Sequence, residues 1–163
     1  MQATQLSQHA EQLQRAGQLR EAEAAYRRAI KLAPNDPATH YNLGNLYLEL
    51  ERPADAIVSY RTALRLTPDH PQILLQLGNA YSAKGKFNEA AAHFQKSTIA
   101  DPTDPAAYFN LGNALRELAK PAEAAAAYQA ALKLNAHDAD IHNNLGNVLR
   151  ELGRLDEAIA CYC

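Results

Sequence analysis

Tryptophan is absent from this 163-residue chain, which has one methionine, two cysteines and three phenylalanines. Hydrophobic residues still make up 47% of the sequence, and many of them are alanine. Small apolar side chains favour many close helix–helix contacts over one large core of bulky residues. No run approaches the roughly 18 apolar residues of a membrane span, and the N-terminus lacks the apolar stretch of a signal peptide. We therefore expect a cytoplasmic protein.

Neither sign of charge dominates the chain, which has 16 Lys and Arg against 18 Asp and Glu. The charges are spread along the sequence without a basic block, so neutralisation of nucleic-acid phosphates is not supported. The only cysteines are Cys161 and Cys163. Two residues apart on a helix, their side chains point to different faces, so we expect neither a mutual disulfide nor a shared metal. So few cysteines are consistent with a reducing compartment.

Catalytic motifs are also missing from the sequence. It contains no nucleophile elbow, no phosphate-binding glycine loop and no HExxH zinc motif. The six histidines are scattered over different parts of the chain. We therefore expect no catalytic activity from the chain as given, no cofactor and no metal site.

A four-residue block recurs every 34 residues. It reads Asn-Leu-Gly-Asn at 42–45, Gln-Leu-Gly-Asn at 76–79, and Asn-Leu-Gly-Asn again at 110–113 and 144–147. A fixed period of this length is typical of a repeat solenoid. If Gly44 is numbered position 8, the predicted repeats are 3–36, 37–70, 71–104, 105–138 and an incomplete 139–163.

Other positions of the repeat follow the same register. Position 20 is always alanine, and position 24 is aromatic in every repeat: Tyr26, Tyr60, Phe94, Tyr128 and Tyr162. Position 32 is Pro34, Pro68 and Pro102 in the first three repeats. This pattern resembles the tetratricopeptide repeat family. The resemblance implies an all-α, right-handed superhelical solenoid of helix-turn-helix repeats, in which the first repeat is degenerate because it has His9-Ala10 in place of Leu-Gly.

Local signals predict two helices in each repeat, helix A over positions 1–14 and helix B over positions 17–31. Asp36 and Asp104 each precede a proline, which is typical of an N-cap followed by the first helical residue. The turn between the helices is predicted at Gly17, Glu51, Gly85, Ala119 and Gly153. Three of these five residues are glycine, which suits a left-handed helix end.

Amide side chains dominate positions 6 and 9, which share one face of helix A because they are three residues apart. They are Asn42, Asn45, Gln76, Asn79, Asn110, Asn113, Asn144 and Asn147. The block resembles the repeats of O-linked N-acetylglucosamine transferases, in which an asparagine ladder along the concave groove holds extended polypeptide by its backbone. The resemblance implies that these eight residues form a peptide-binding groove. At position 5, Tyr41 and Phe109 are either pockets for ligand side chains or packing residues.

A second interpretation of the amides is structural, since they can bond to one another or to neighbouring helices and fix the spacing of the repeats. The two roles can coexist. A clamp for a C-terminal carboxylate is not expected, because positions 2 and 5 carry no lysine.

The function we predict is a protein–protein interaction scaffold that holds an extended peptide or partner segment in its concave groove. One alternative is the N-terminal substrate-recruiting region of a larger enzyme, such as an O-GlcNAc-type glycosyltransferase or another transferase. Another is a self-assembling scaffold that associates through its C-terminal end, because the fifth repeat stops at Cys163 and leaves apolar surface uncovered.

Overall fold

A computed structural model of the chain describes residues 2–162, which form ten α-helices and no strand. The helices are α1 (Gln2–Arg15), α2 (Leu19–Leu32), α3 (Pro37–Glu49), α4 (Pro53–Leu66), α5 (Pro71–Ala83), α6 (Phe87–Ala100), α7 (Pro105–Glu117), α8 (Pro121–Leu134), α9 (Ala139–Glu151) and α10 (Leu155–Tyr162). Odd-numbered helices are the predicted helices A and even-numbered ones the predicted helices B. The predicted all-α fold of helix-turn-helix repeats is confirmed.

The predicted N-caps of helices A are present. The Asp36 carboxylate accepts a hydrogen bond from the Ala38 amide at 3.3 Å, and Asp104 accepts one from the Ala106 amide at 2.9 Å. In both helices a proline follows the cap and lacks the amide that would otherwise need a partner. His70 precedes α5 without such a side-chain bond, so the proline alone marks that start.

All five predicted A–B turns adopt the left-handed backbone conformation. Gly17, Gly85 and Gly153 have φ values of 75°, 69° and 75°. Glu51 and Ala119 occupy the same position with φ values of 56° and 55°, although a side chain makes this conformation unfavourable. The turn geometry is therefore common to the repeats even where the sequence lacks glycine.

The helices fall into two compact units, one ending at Lys84 and the other beginning at Gly85. In the first unit, α1 packs on α2, α3 on α4, and each hairpin on the next helix in chain order. Its core includes the fully buried rings of Tyr26 and Tyr60. In the second unit α6 to α10 pack in the same successive way, and Tyr128 is fully buried in the core. The repeat boundaries themselves remain a prediction.

The glycine at position 8 has a packing reason in both units. A Cβ atom added to Gly44 would lie 2.5 Å from Cε1 of Tyr60, and one added to Gly112 would lie 2.6 Å from Cε1 of Tyr128. These separations are far below van der Waals contact, so no side chain fits without moving the ring. Glycine thus lets helix A approach the aromatic residue of helix B.

Candidate functional site

Tyrosine hydroxyls of helices B hold the asparagines at position 9 of helices A. Tyr60 donates to Oδ1 of Asn45 at 2.6 Å, and Tyr128 donates to Oδ1 of Asn113 at 2.7 Å. Tyr162 donates to Oδ1 of Asn147 at 3.0 Å. The same tyrosines contact the glycine at position 8, so one aromatic residue sets both the packing of the hairpin and the orientation of its amide.

The amides at position 6 connect consecutive helices A. Nδ2 of Asn144 donates to Oδ1 of Asn113 at 3.2 Å, which links α9 to α7. Nδ2 of Asn42 donates to Oε1 of Glu11 at 2.7 Å, which links α3 to α1. In each pair, position 6 of one repeat donates to position 9 of the preceding repeat. Asn144 therefore bonds to an amide of the preceding repeat and Asn42 to a carboxylate of the preceding repeat.

The remaining predicted amides are placed on the same helix faces. Nδ2 of Asn79 donates to Oε1 of Gln76 at 3.2 Å within α5, and Asn110 lies half-buried on α7. Asn79 belongs to the third repeat, where position 24 is Phe94. Phenylalanine has no hydroxyl that could hold Asn79. Hence the third repeat cannot form the tyrosine–asparagine bond of its neighbours.

The asparagines held by tyrosine keep a donor group for another partner. Asn45, Asn113 and Asn147 are half-buried and use Oδ1 for the bonds described above. Within residues 2–162 their Nδ2 groups have no hydrogen-bond partner. An amide nitrogen can donate two hydrogen bonds, so each of these groups can donate to a peptide carbonyl.

Both predicted aromatic residues of position 5 pack inside their own hairpins. The Tyr41 ring lies 5.8 Å from the Tyr60 ring, centroid to centroid, and the Phe109 ring lies 6.0 Å from the Tyr128 ring. The rings are tilted by 52° and 49°, an arrangement that aromatic pairs favour. Tyr41 in addition lines an apolar cleft of about 420 Å³ in the first unit. Its other walls are Pro37, Ala38, Thr67, His70, Gln72 and Ile73.

A polar cleft of about 490 Å³ lies on the amide face of α1 and α3. Its walls are Glu11, Gln14, Arg15, Tyr26, Asn42, Asn45 and Glu49. Two of the eight predicted amides therefore line a common cleft. The carboxylates were not predicted as site residues, because Glu11 is an exception to the repeat pattern at position 9. For Glu49 the sequence gave only a weak signal of a carboxylate on this face, since position 13 is glutamate in repeats 2, 4 and 5.

The electrostatics of this polar cleft act on Tyr26. Its burial raises the pKa of the phenol from 10.0 to about 12, and the Glu11 carboxylate adds to the rise. Arg15 lowers the pKa of the same phenol, and Glu49 raises it. Tyr26 therefore stays neutral at physiological pH, and its hydroxyl donates to Oε1 of Gln14 at 3.3 Å. The cleft offers amides, carboxylates and one guanidinium to a ligand, and the neutral phenol of Tyr26 is buried in its wall.

Other features of the chain give no site of their own. Cys161 is a free, half-buried thiol packed against the core of the second unit, and burial raises its pKa. Cys163, named with it in the sequence analysis, lies outside the described residues. Between residues 2 and 162 no group of three or more His, Cys, Asp or Glu side chains is placed to hold a metal ion. Every helix between these residues is too short or too polar to span a bilayer.

Helical hairpins repeated every 34 residues, with small residues at the hairpin contact and an amide row on helix A, define a helical repeat protein. The family model for the tetratricopeptide repeat matches residues 8–71, 41–105, 75–118 and 109–162. The chain belongs to the tetratricopeptide repeat family. No curated protein sequence matches it significantly.

Solved structures with the same fold include MamA from Desulfovibrio magneticus, with a TM-score of 0.92 and 21% identity over 99% of this chain and 91% of that chain. PilF from Pseudomonas aeruginosa gives a TM-score of 0.85 at 20% identity, covering 98% of this chain and 73% of that chain. YrrB is a tetratricopeptide repeat protein with an unusual peptide-binding site. Its structure gives a TM-score of 0.84 at 22% identity, covering 96% of this chain and 80% of that chain. At these identities the likeness establishes the fold.

Proposed function

We propose that the chain is a protein-interaction scaffold whose helix A faces bind an extended peptide through their asparagines. The observation that carries this proposal is the orientation of the amides. Tyr60, Tyr128 and Tyr162 occupy the amide oxygens of position 9 and leave the nitrogens to donate. In the first unit, Asn45 and Asn42 line a cleft of about 490 Å³, which has room for a peptide segment.

The chemistry suits recognition of a backbone more than of a particular sequence. Every peptide unit carries a carbonyl acceptor, and an extended chain repeats it about every 3.3 Å. Helices packed about 10 Å apart would then meet every third residue of the peptide. If each hydrogen bond contributes about 1 kcal/mol, we expect dissociation constants on the order of micromolar to millimolar.

The family relationship supports the same function. Among structures of the same fold, YrrB is a tetratricopeptide repeat protein with a peptide-binding site. Stacked helical repeats present extended surfaces on which polypeptide segments bind. We infer that this chain uses its surface in that way, with a peptide or a segment of a partner protein as the ligand.

The experiment selects ligands from a display library of random 12-residue peptides on the immobilised 163-residue chain. Selected peptides are then titrated, by fluorescence anisotropy, against the chain and against a variant with Asn45, Asn79, Asn113 and Asn147 changed to alanine. Circular dichroism first establishes that both proteins are equally helical. We expect the variant to bind at least ten-fold more weakly. Equal affinity for the two proteins would overturn the assignment of these faces, and a library that yields no binder would overturn the function.

A second candidate rests on the Asn-Leu-Gly-Asn block, which resembles repeats of O-linked N-acetylglucosamine transferases. In that case the amide faces would recruit the acceptor polypeptide for a transferase domain. The two candidates use the same contacts and differ only in whether a catalytic domain shares the polypeptide. The reading frame on both sides of these 163 residues decides between them.

A further inference from the structure

Two clefts of different character lie along α3 in the first unit. Toward its N-terminal end, Tyr41, Ala38 and Ile73 line the apolar cleft of about 420 Å³. Toward its C-terminal end, Glu49 and Glu11 line the polar cleft of about 490 Å³. Asn42 and Asn45 stand between Tyr41 and Glu49 in the sequence of the helix.

We propose that the two clefts bind the side chains of one extended peptide, an apolar side chain in the Tyr41 cleft and a lysine or arginine in the Glu11–Glu49 cleft. This inference rests on the proposed function, since Asn42 and Asn45, which line the polar cleft, would hold the backbone of the same peptide. It adds to that function a chemical class of partner, a peptide with one apolar and one basic residue at a fixed separation.

The apolar cleft is suited to an aliphatic or aromatic side chain. Tyr41 packs on Tyr60 and also lines the cleft, and Ile73 forms a buried wall. The tilted contact with Tyr60 fixes the Tyr41 ring, so the cleft is largely formed before a ligand arrives. Burying an apolar side chain there removes its surface and that of Tyr41 from water.

The charge of the polar cleft selects the second side chain. Glu11 and Glu49 contribute two carboxylates against the single guanidinium of Arg15. Glu11 accepts from Asn42, and Glu49 accepts from Gln14 at 2.7 Å, but within the described chain neither carboxylate forms an ion pair. A cation entering the cleft would meet two carboxylates whose existing partners are neutral amides, whereas an anion would meet net negative charge.

The distance between the clefts sets the spacing of the two side chains. Glu49 follows Tyr41 by eight positions of α3, a rise of about 12 Å along the helix axis. The clefts are formed with different neighbouring helices, which adds a lateral step of up to about 10 Å. At about 3.3 Å per residue, an extended peptide covers the resulting distance of roughly 12–16 Å in four or five residues.

The test uses the peptides selected on the full chain from the random library. We expect enrichment of sequences in which an apolar residue and a Lys or Arg are four or five positions apart. The protein variant carrying both Glu11→Gln and Glu49→Gln should bind such a peptide about three- to ten-fold more weakly, because glutamine keeps the hydrogen bonds and removes the charge. Glu117→Gln, at the matched position 13 of the second unit, should leave the affinity unchanged.

A further variant examines the apolar cleft. Ala38 is exposed and lines this cleft, so Ala38→Gln narrows it without removing a buried contact, and we expect about five-fold weaker binding. Enriched peptides without basic residues, or with acidic ones that pair with Arg15, would overturn the inference. If the selected peptides lose affinity with the asparagine variant but not with the double glutamate variant, the proposed function stands and this inference falls. If the library yields no binder, both fall.

Discussion

The Tyr60 hydroxyl donates a 2.6 Å hydrogen bond to Oδ1 of Asn45, and the ring of the same tyrosine lies against Gly44. One residue of helix B therefore determines the closest contact of the hairpin and the direction of the amide on its surface. Tyr128 has the same relationship to Asn113 and Gly112 in the second unit. The interior packing of these repeats and their candidate binding face are thus coupled through a single side chain.

Replacing Tyr60 with phenylalanine tests the structural half of this coupling. The variant keeps the ring but loses the hydroxyl and leaves Oδ1 of Asn45 without its donor, which should lower the free energy of unfolding by about 1 kcal/mol. The measurement is the urea midpoint followed by circular dichroism. Phe94 occupies the equivalent position of the third repeat, so we expect the fold to be retained. An unchanged midpoint would show that the bond contributes nothing to stability.

Glycine at the A–B turn of the fourth repeat should stabilise the protein. Ala119 has a φ of 55°, and a left-handed conformation costs a side-chain-bearing residue about 1 kcal/mol. Ala119→Gly removes that cost, and we expect a higher urea midpoint. The matched control is Gly153→Ala, whose φ of 75° and open surroundings make it destabilising through the backbone alone. If both variants raised the urea midpoint, or both lowered it, the backbone conformation would not explain the change.

The polar cluster around Glu23 should contribute more to the free energy of unfolding than an isolated surface ion pair does. Glu23 is bound by Arg27 at 2.8 Å and Arg52 at 3.0 Å, and its side chain is only 17% exposed. The Tyr47 hydroxyl donates to the same carboxylate at 3.1 Å. Glu23→Gln should lower the free energy of unfolding by about 1 kcal/mol in 50 mM salt, and by less in 1 M salt.

The comparison for this cluster is Glu157→Gln. Glu157 pairs with Arg154 at 2.6 Å across an exposed helix turn, where solvent screens the two charges and the pair adds little to stability. Chemical denaturation of both variants at the two salt concentrations gives the contrast. Equal losses of unfolding free energy in the two variants would mean that the half-buried network stabilises the fold no more than an exposed pair does.

Stability should fall in alkaline solution because of the buried tyrosines. Burial raises the pKa of Tyr26 and of Tyr128 from 10.0 to about 12. The phenols stay protonated in the folded protein at pH values where they ionise in the unfolded chain. The stabilisation that these protonated phenols give the folded protein is therefore complete below pH 10 and is lost as the pH rises from 10 to 12. Denaturation midpoints from pH 8 to 12 should fall less steeply in Tyr26→Phe and Tyr128→Phe than in the parent, and parallel curves would contradict the assignment.

The helices were predictable because their signals are local and are repeated. Asp36 before Pro37 marks a helix start by itself, and Gly17, Gly85 and Gly153 mark the turns in the first, third and fifth repeats. Period and register then place the turns at Glu51 and Ala119, where the local sequence gives no left-handed signal. Glycine at position 8 recurs with the same period, and at Gly44, Gly112 and Gly146 the tyrosine of helix B packs against it.

The tyrosine–asparagine bonds and the two clefts were not predicted. Tyr60 and Asn45 are 15 residues apart and lie on different helices, so their contact depends on how the hairpin folds back. The clefts depend on residues that do not repeat, such as Glu11, His70 and Ile73. The sequence placed the eight amides on common helix faces, but only the bonds from tyrosine show that Asn45, Asn113 and Asn147 keep their nitrogens to donate.

Peptide binding through the amide nitrogens is tested by the affinity of a variant in which Asn45, Asn113 and Asn147 are all changed to aspartate. Aspartate keeps an oxygen for each tyrosine hydroxyl but has no amide nitrogen, and Glu11 shows that position 9 accommodates a carboxylate. With a selected peptide whose basic residue is replaced by glutamine, in 0.3 M salt, we predict a melting temperature close to that of the parent and affinity at least about five-fold lower, since each asparagine that contacts the peptide loses a hydrogen bond of about 1 kcal/mol. Unchanged affinity would show that these amide nitrogens do not bind the peptide and would leave the asparagines a purely structural role.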